Sequence, residues 1–312
     1  MKTLTPRFSL AASGAIFLLW AGLSSDASAQ LPNARQTKTI TLGLVSEVNQ
    51  KEISDHFSDF ARYVARKSLS DTQADGAVVV TRALPELAKL LEQDKVDYFM
   101  ESPYPTYLIN HVHAAAKLLL RRWKGGKAEY RSLIATNKDI GTARLQDLRG
   151  KIIAFEDPES TSGYFLPKFF LQRNGFKLSP VTTPSASVPP TQIGYVFAKT
   201  NDNLVDWVVA KQVAAGALSD DDFAILDDKR KPQLNILAQT ELLPRHLVSV
   251  RNNLSPDLIE RLSRVLQSMH EDKEGQKLLR DLDNTTKFDL LPGGEEGMRR
   301  RLLETFHSPE KK

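Results

Sequence analysis

The stretch Phe155-Glu156-Asp157-Pro158-Glu159-Ser160-Thr161-Ser162-Gly163 holds the residues whose types and order point most directly to chemistry. Three consecutive hydroxyl residues stand between an apolar run that reads as a strand, Lys151 to Phe155, and a helical periodicity from Ser162 to Arg173. A helix start leaves backbone N–H groups unpaired and carries partial positive charge. The hydroxyls of Ser160, Thr161 and Ser162 add donors, and Gly163 admits a close backbone approach. Such a turn suits a tetrahedral or planar oxyanion without Arg or Lys. The structural alternative is that Ser160 or Thr161 only caps the helix. Pro167 falls inside the helical segment, which requires a kink or a later start.

Other chemistries lack their residues. The chain has no cysteine, so thiol catalysis is excluded. His111 and His113 are two apart and face different sides of a helix. There is no H-E-x-x-H, no G-x-S-x-G elbow and no Walker loop. Ser162 has no identifiable base beside it. No enzyme activity, no metal and no cofactor are therefore expected.

The elements that must position this turn alternate along the chain. Thr39 to Val45 reads as a strand, and Ile53, Phe57, Phe60 and Val64 recur at helical spacing. A β-branched run at Gly76 to Thr81, a leucine face at Leu84 to Leu91, a strand at Val96 to Met100 and a helix from Tyr104 to Ala116 follow. Beyond them, Ser132 to Thr136 and Ala214 to Leu218 read as strands, and Leu204 to Val209 as a helix. Gly175 is placed to end one helix, and Ser255 with Pro256 to open another. This alternation implies βαβ units and a mostly parallel α/β sheet.

In 312 residues, 42 basic and 38 acidic side chains leave a formal charge of +4. The two signs are interspersed, without the basic stripe of a nucleic-acid binder, so no nucleic acid is expected as partner. Lys2 and Arg7 precede a charge-free stretch, Leu10 to Leu23, and Ala27-Ser28-Ala29 supplies a small-x-small cleavage signal. Residues 1–29 thus read as a secretory signal peptide, with an uncleaved anchor as the alternative. An exported chain without cysteine has neither disulfides nor an acylated cysteine, which fits a soluble protein of the periplasm.

Asp157-Pro158-Glu159-Ser160-Thr161-Ser162-Gly163-Tyr164, with Pro167, resembles the D-P-x-S-T-S-G motif of the phosphate/phosphite/phosphonate-binding proteins of ABC transporters. The resemblance implies a type II periplasmic-binding fold, two α/β lobes joined by two crossing strands with the ligand in a cleft. Lobe 1 would be residues 31–136 and 241–312, and lobe 2 residues 137–240. The crossings would fall near Leu133 to Thr136 and near Asn235 to Thr240. It implies that Ser160, Thr161 and Ser162 grip the oxyanion.

Thr200-Asn201-Asp202 stands where the family usually has Ser-His-Asp or Ser-His-Glu, so Asn201 replaces an imidazole donor and Asp202 keeps the acid. Ala215-Gly216-Ala217 resembles the family's A-G-A strand, after which Asp220 or Asp221 would face the cationic part of an aminophosphonate. Tyr104 is the first-lobe contact that the resemblance suggests. Glu101 departs from the pattern, an aromatic residue before Gly-Pro. Either it points away or the ligand carries a positive group, because a carboxylate facing a bare oxyanion is costly to bury. Ser46 and Glu47 are weaker candidates. The implied function is capture of a small phosphorus oxyanion for an ABC importer by a monomer that presents it to a membrane permease. The alternatives are a sensing subunit of a membrane signalling receptor, or a sulfonate or zwitterionic ligand.

Overall fold

The computed structural model describes residues 38–69 and 74–307, so the segment 1–29, read above as a signal peptide, lies outside them. The first part of the chain runs β1 (Lys38–Val45), α1 (Gln50–Leu69), β2 (Ala74–Thr81), α2 (Leu84–Glu92), β3 (Tyr98–Glu101), α3 (Pro103–Tyr107) and β4 (Ala116–Lys124). A short strand β5 (Glu129–Tyr130) leads to β6 (Ser132–Asn137) and β7 (Ile152–Phe155). Then come α4 (Leu166–Arg173), β8 (Lys177–Pro180), β9 (Gln192–Phe197), α5 (Asn201–Val209), β10 (Ala215–Ser219), α6 (Asp220–Ala224) and β11 (Leu234–Gln239). The chain returns through β12 (Leu243–Pro244) to β13 (His246–Arg251), α7 (Pro256–Ser268), α8 (Lys273–Asp281), β14 (Thr285–Leu290) and α9 (Gly294–Phe306).

Two six-stranded sheets result. The first has the order β14-β4-β13-β3-β1-β2 and the second β11-β6-β10-β7-β9-β8. Each is mixed. In the first, β1 is parallel to β2 and β3, while β13 lies antiparallel between β3 and β4. In the second, β7 is parallel to β9 and β10, while β6 is antiparallel to β10 and β11. A two-stranded ribbon of β5 and β12 joins them. Leu133–Thr136 and Asn235–Gln239, the expected crossings, are instead paired with each other inside the second sheet. The chain passes between the sheets around the ribbon, before Ser132 on the way out and after Gln239 on the way back, where both crossing segments are only a few residues long.

Local packing shows why these elements form. The α1 helix presses onto β2 so tightly that a Cβ on Gly76 would stand 2.1 Å from the Ala61 carbonyl oxygen. Leu42, Val64, Met100, Leu120, Leu262 and Leu266 belong to one apolar core on the first sheet. Ile153, Phe155, Leu171 and Ile193 form a separate core on the second. Ser255 caps α7 through Leu258, with Pro256 at its first position, as the sequence indicated. Among the described residues, no helix is long and apolar enough to cross a membrane.

Two differences from the sequence reading bear on the site. The helical segment expected from Tyr104 to Ala116 stops near Val112, and Ala116 opens strand β4 instead. The helix expected from Ser162 begins as a wide π-type turn, Thr161–Phe165, and becomes α-helical only at Leu166. Pro167 then lies in the first turn of α4, where a missing N–H costs little.

Candidate functional site

The C-terminal ends of β1, β3 and β4 and the start of β13 lie at one end of the first sheet. The C-terminal ends of β7, β9 and β10 and the start of β6 lie at one end of the second. The hydroxyl turn follows β7, and it is here that the two halves meet. The Thr161 and Ser102 hydroxyls are 2.9 Å apart, and the Tyr104 amide donates to Thr161 Oγ1 at 3.1 Å. The Tyr104 ring stacks on Phe165 with centroids 3.4 Å apart and also packs against Tyr107, Phe169 and Phe306. Tyr104 is thus placed as a packing residue between the halves, with its backbone, not its ring, bonded to the turn.

The three hydroxyl residues divide their work. Ser160 is the cap: its Oγ accepts from the Gly163 amide at 2.9 Å and donates to Glu156 Oε2 at 2.8 Å. Gly163 is needed for that packing, since a Cβ there would lie 2.5 Å from Glu156 Oε2. Thr161 bridges to the first half, as described. Ser162 is buried, and its hydroxyl, like that of Thr161, lies against the phenol of Tyr130. The backbone amides of Thr161 and Ser162 have no hydrogen-bond partner among the described residues.

Tyr130 was not singled out from the sequence. It lies on the β5 ribbon and is 1% exposed. Burial pushes its phenol up to about 12, against the pull of the Arg245 guanidinium and of the Thr161 and Ser162 hydroxyls. The Arg245 guanidinium, between β12 and β13, sits 4.5 Å from the ring centroid in a cation–π contact. Arg245 Nε donates to Asp221 Oδ2 at 2.9 Å, and Lys127 reaches Asp221 Oδ1 at 2.5 Å.

A second cationic group comes from β4, also unread in the sequence. Arg122, 1% exposed, donates to Thr285 Oγ1, the Leu282 carbonyl and Asp283 at 2.8, 3.0 and 2.9 Å. Lys124 pairs with the same Asp283 carboxylate at 3.2 Å, and burial lowers its ammonium despite that partner. His246 stands opposite Arg122 in the β13–β4 pairing. Burial and the charges of Arg122, Lys124 and Arg245 hold its imidazole well below 6.5, so it is neutral, and its Nδ1 has no partner among the described residues. Arg122 and Lys124 share the Asp283 carboxylate, as Arg245 and Lys127 share that of Asp221, and the carboxyls of Glu101 and Glu156 lie near these cations.

The remaining predicted residues separate. Glu101 ends β3, where its Oε2 accepts the Ser102 amide at 3.2 Å, and burial pushes its carboxyl up to about 7. Asn201 opens α5 with a buried Oδ1 that lacks a partner among the described residues. Asp202 does not join the cluster: its side chain is 80% exposed and pairs with Arg230 at 2.9 Å. Asp220 accepts from the Arg131 amide at 3.2 Å, and Asp221 is taken by Arg245 and Lys127. These two carboxylates fasten the crossing segments to the second sheet. Ser46 bonds Val48 within its own loop, and Glu47 is exposed.

Comparison with known proteins agrees with this architecture. A family model described as ABC transporter, phosphonate, periplasmic substrate-binding protein matches residues 42–291. The Xanthomonas citri protein XAC2383 bound to ATP is 25% identical, with a TM-score of 0.74, over 86% of this chain and 96% of that one. The same protein bound to chloride ion gives a TM-score of 0.76 at the same identity and coverage. PhnD1 from Prochlorococcus marinus, in complex with methylphosphonate, is alike in fold, with a TM-score of 0.58 at 14% identity over 87% of this chain and 99% of that one. The fold is therefore the type II periplasmic-binding fold that the motif implied. With its match spanning most of its length, the chain belongs to the phosphonate-binding family of periplasmic substrate-binding proteins of ABC transporters.

Proposed function

We propose that this protein captures a small phosphorus oxyanion in the cleft between its two sheets and delivers it to an ABC importer. The observation that carries this reading is the convergence of donors and positive charge at one place. Ser162 and Tyr130 meet beneath the hydroxyl turn, and Arg245 stacks on Tyr130. Arg245, Lys124 and Arg122 bring three cationic groups to the same place, paired with Asp221 and Asp283. Buried donors and cations of this kind favour an anion that sheds its water on entry. On this reading the lobes divide at the β5/β12 ribbon, and the Ser102–Thr161 contact belongs to the closed form.

The test is calorimetric titration with phosphate, phosphite, methylphosphonate, 2-aminoethylphosphonate and ATP, the last because a terminal phosphate presents the same oxygens as the smaller ions. Ser162→Ala and Tyr130→Phe should each weaken the preferred ligand about 10- to 100-fold, the size of one hydrogen bond to a charged group. Unchanged affinity in both variants would remove the hydroxyl turn from the binding site. A wild-type protein that binds none of the five would overturn the phosphorus-oxyanion reading.

A further inference from the structure

Thr161, Phe165, Phe169 and Arg173 recur every four residues along the π-type turn and α4, so they line one side of that segment. All four reach groups of the first half. Thr161 Oγ1 accepts from the Tyr104 amide at 3.1 Å and meets the Ser102 hydroxyl. The Phe165 ring stacks on Tyr104, and Phe169 lies 6.0 Å from Phe306, the last residue of α9. Arg173 Nη1 donates to the Thr305 and Glu304 carbonyls at 3.0 and 3.3 Å, oxygens that the end of α9 leaves unpaired. Its Nη2 donates to Glu241 Oε1 at 2.7 Å. Leu166, fully buried, completes the contact. It shares one apolar cluster with Leu118 and Leu247 of the first sheet and with Met298 and Leu302 of α9.

The donors assigned to the guest, Ser162, Tyr130, Arg245 and Lys124, are not members of this stripe. A contact between halves made wholly of the protein's own groups favours the closed arrangement before any guest arrives. Its members are separable. Tyr104, Phe165 and Phe169 keep part of their surface exposed, and the Arg173 side chain is 41% exposed. We propose that the stripe is a latch that holds the cleft closed in the absence of ligand and so sets affinity from outside the binding shell. This rests on the cleft reading given above and adds its regulation. The latch biases the ratio of closed to open molecules without welding the halves, so the ligand still enters through the open form. When only a fraction of the molecules is closed, apparent affinity falls by that fraction. Each lost contact should shift the closed-to-open ratio about 10-fold, the size of one aromatic pair or one charged hydrogen bond.

The chain has no cysteine, so Val48→Cys and Ile225→Cys supply two unique sites for spin labels. Both side chains are exposed, Val48 after β1 and Ile225 after α6, on opposite halves. Pulsed dipolar spectroscopy of the ligand-free protein should show mainly the shorter of two distances, with about nine molecules in ten closed. Phe169→Ala combined with Arg173→Gln should shift the ratio about 100-fold, so that the longer distance dominates and about one molecule in ten stays closed. Phe306→Ala, which removes a partner on the other half, should move the distribution in the same direction. Calorimetric titration with methylphosphonate should show about 10-fold weaker binding by the double variant, and saturating methylphosphonate should restore its shorter distance. Melting curves check that each variant is folded. Arg173→Gln alone, at a partly exposed site, should leave about half the molecules closed and keeps the test open if Phe169→Ala does not fold. Wild-type distances in the variants, a ligand-free wild type dominated by the longer distance, or longer distances with unchanged affinity would each overturn the latch. If wild type binds none of methylphosphonate, phosphate and phosphite, the oxyanion reading falls, and the ligand-free distances alone decide the latch.

Discussion

A buried acid that keeps its proton near neutrality reverses the usual pH dependence of a carboxyl group. Glu101 is raised from 4.5 to about 7 by burial, which outweighs the Ser102 and Val45 amides and the pull of Lys124. A folded value above the unfolded one contributes stability that is complete below about 4.5 and lost as pH rises through about 7. Thermal melts between pH 5 and pH 8 should therefore show wild type losing stability relative to Glu101→Gln as pH rises; parallel curves would remove the buried acid from the account. The Ser160-Thr161-Ser162 run was legible at this scale because its members are contiguous and sit at a strand-to-helix junction. Their division of labour was not legible. Ser160 is turned inward by Glu156, Thr161 outward by Ser102, and both partners are set by the fold. Ser160→Ala should cost about 1 kcal/mol of stability as a lost cap, measured by denaturant unfolding, and should change ligand affinity less than Ser162→Ala.

At the scale of the element, the readable pieces were those with a local signal. The strand at β1, the leucine face of α2 and the Ser255–Pro256 start of α7 stand where the sequence put them. Strand β4 went unread beyond Ala116, which closed the expected helix, and it carries the charged residues Arg121, Arg122 and Lys124. Their place is fixed by pairing with β13 and β14, more than a hundred residues later. Half of the cationic lining was lost to the reading for that reason. Tyr130 was missed likewise, on a strand of two residues whose partner is β12. Close packing of one element on another gives a sharper prediction. Gly76→Ala would drive a methyl group into the Ala61 carbonyl of α1, 2.1 Å away on a backbone that cannot turn aside. A loss of about 3 kcal/mol in denaturant unfolding is expected; a loss under about 0.5 kcal/mol would show that α1 can lift from β2.

At the scale of the molecule, the two-sheet organisation followed from the alternation of strands and helices and from the resemblance of one motif, but the point of passage between the sheets did not. Antiparallel pairing of Ser132–Asn137 with β10 and β11 draws that segment wholly into the second sheet. The Thr161 hydroxyl, which accepts from the Tyr104 amide and meets the Ser102 hydroxyl, ties the halves together at the turn. Thr161→Val should loosen that tie, so that the ligand-free protein has a larger radius of gyration by small-angle scattering. An unchanged radius would mean that the aromatic stack of Tyr104 on Phe165 suffices to keep the halves together.

Asp220 and Asp221 hold Arg131, Arg245 and Lys127, the residues of both crossing segments, to the second sheet. On the function proposed above, the ribbon would ride with that sheet and the pivot would fall on its far side, near the Gly125-Gly126 pair, both at positive φ. Swinging the halves apart about such a pivot would carry Tyr130 and Ser162 off together and leave Lys124 behind. Release would thus split the coordination shell of the guest in two, stripping the hydroxyls and the ammonium from it in a single movement.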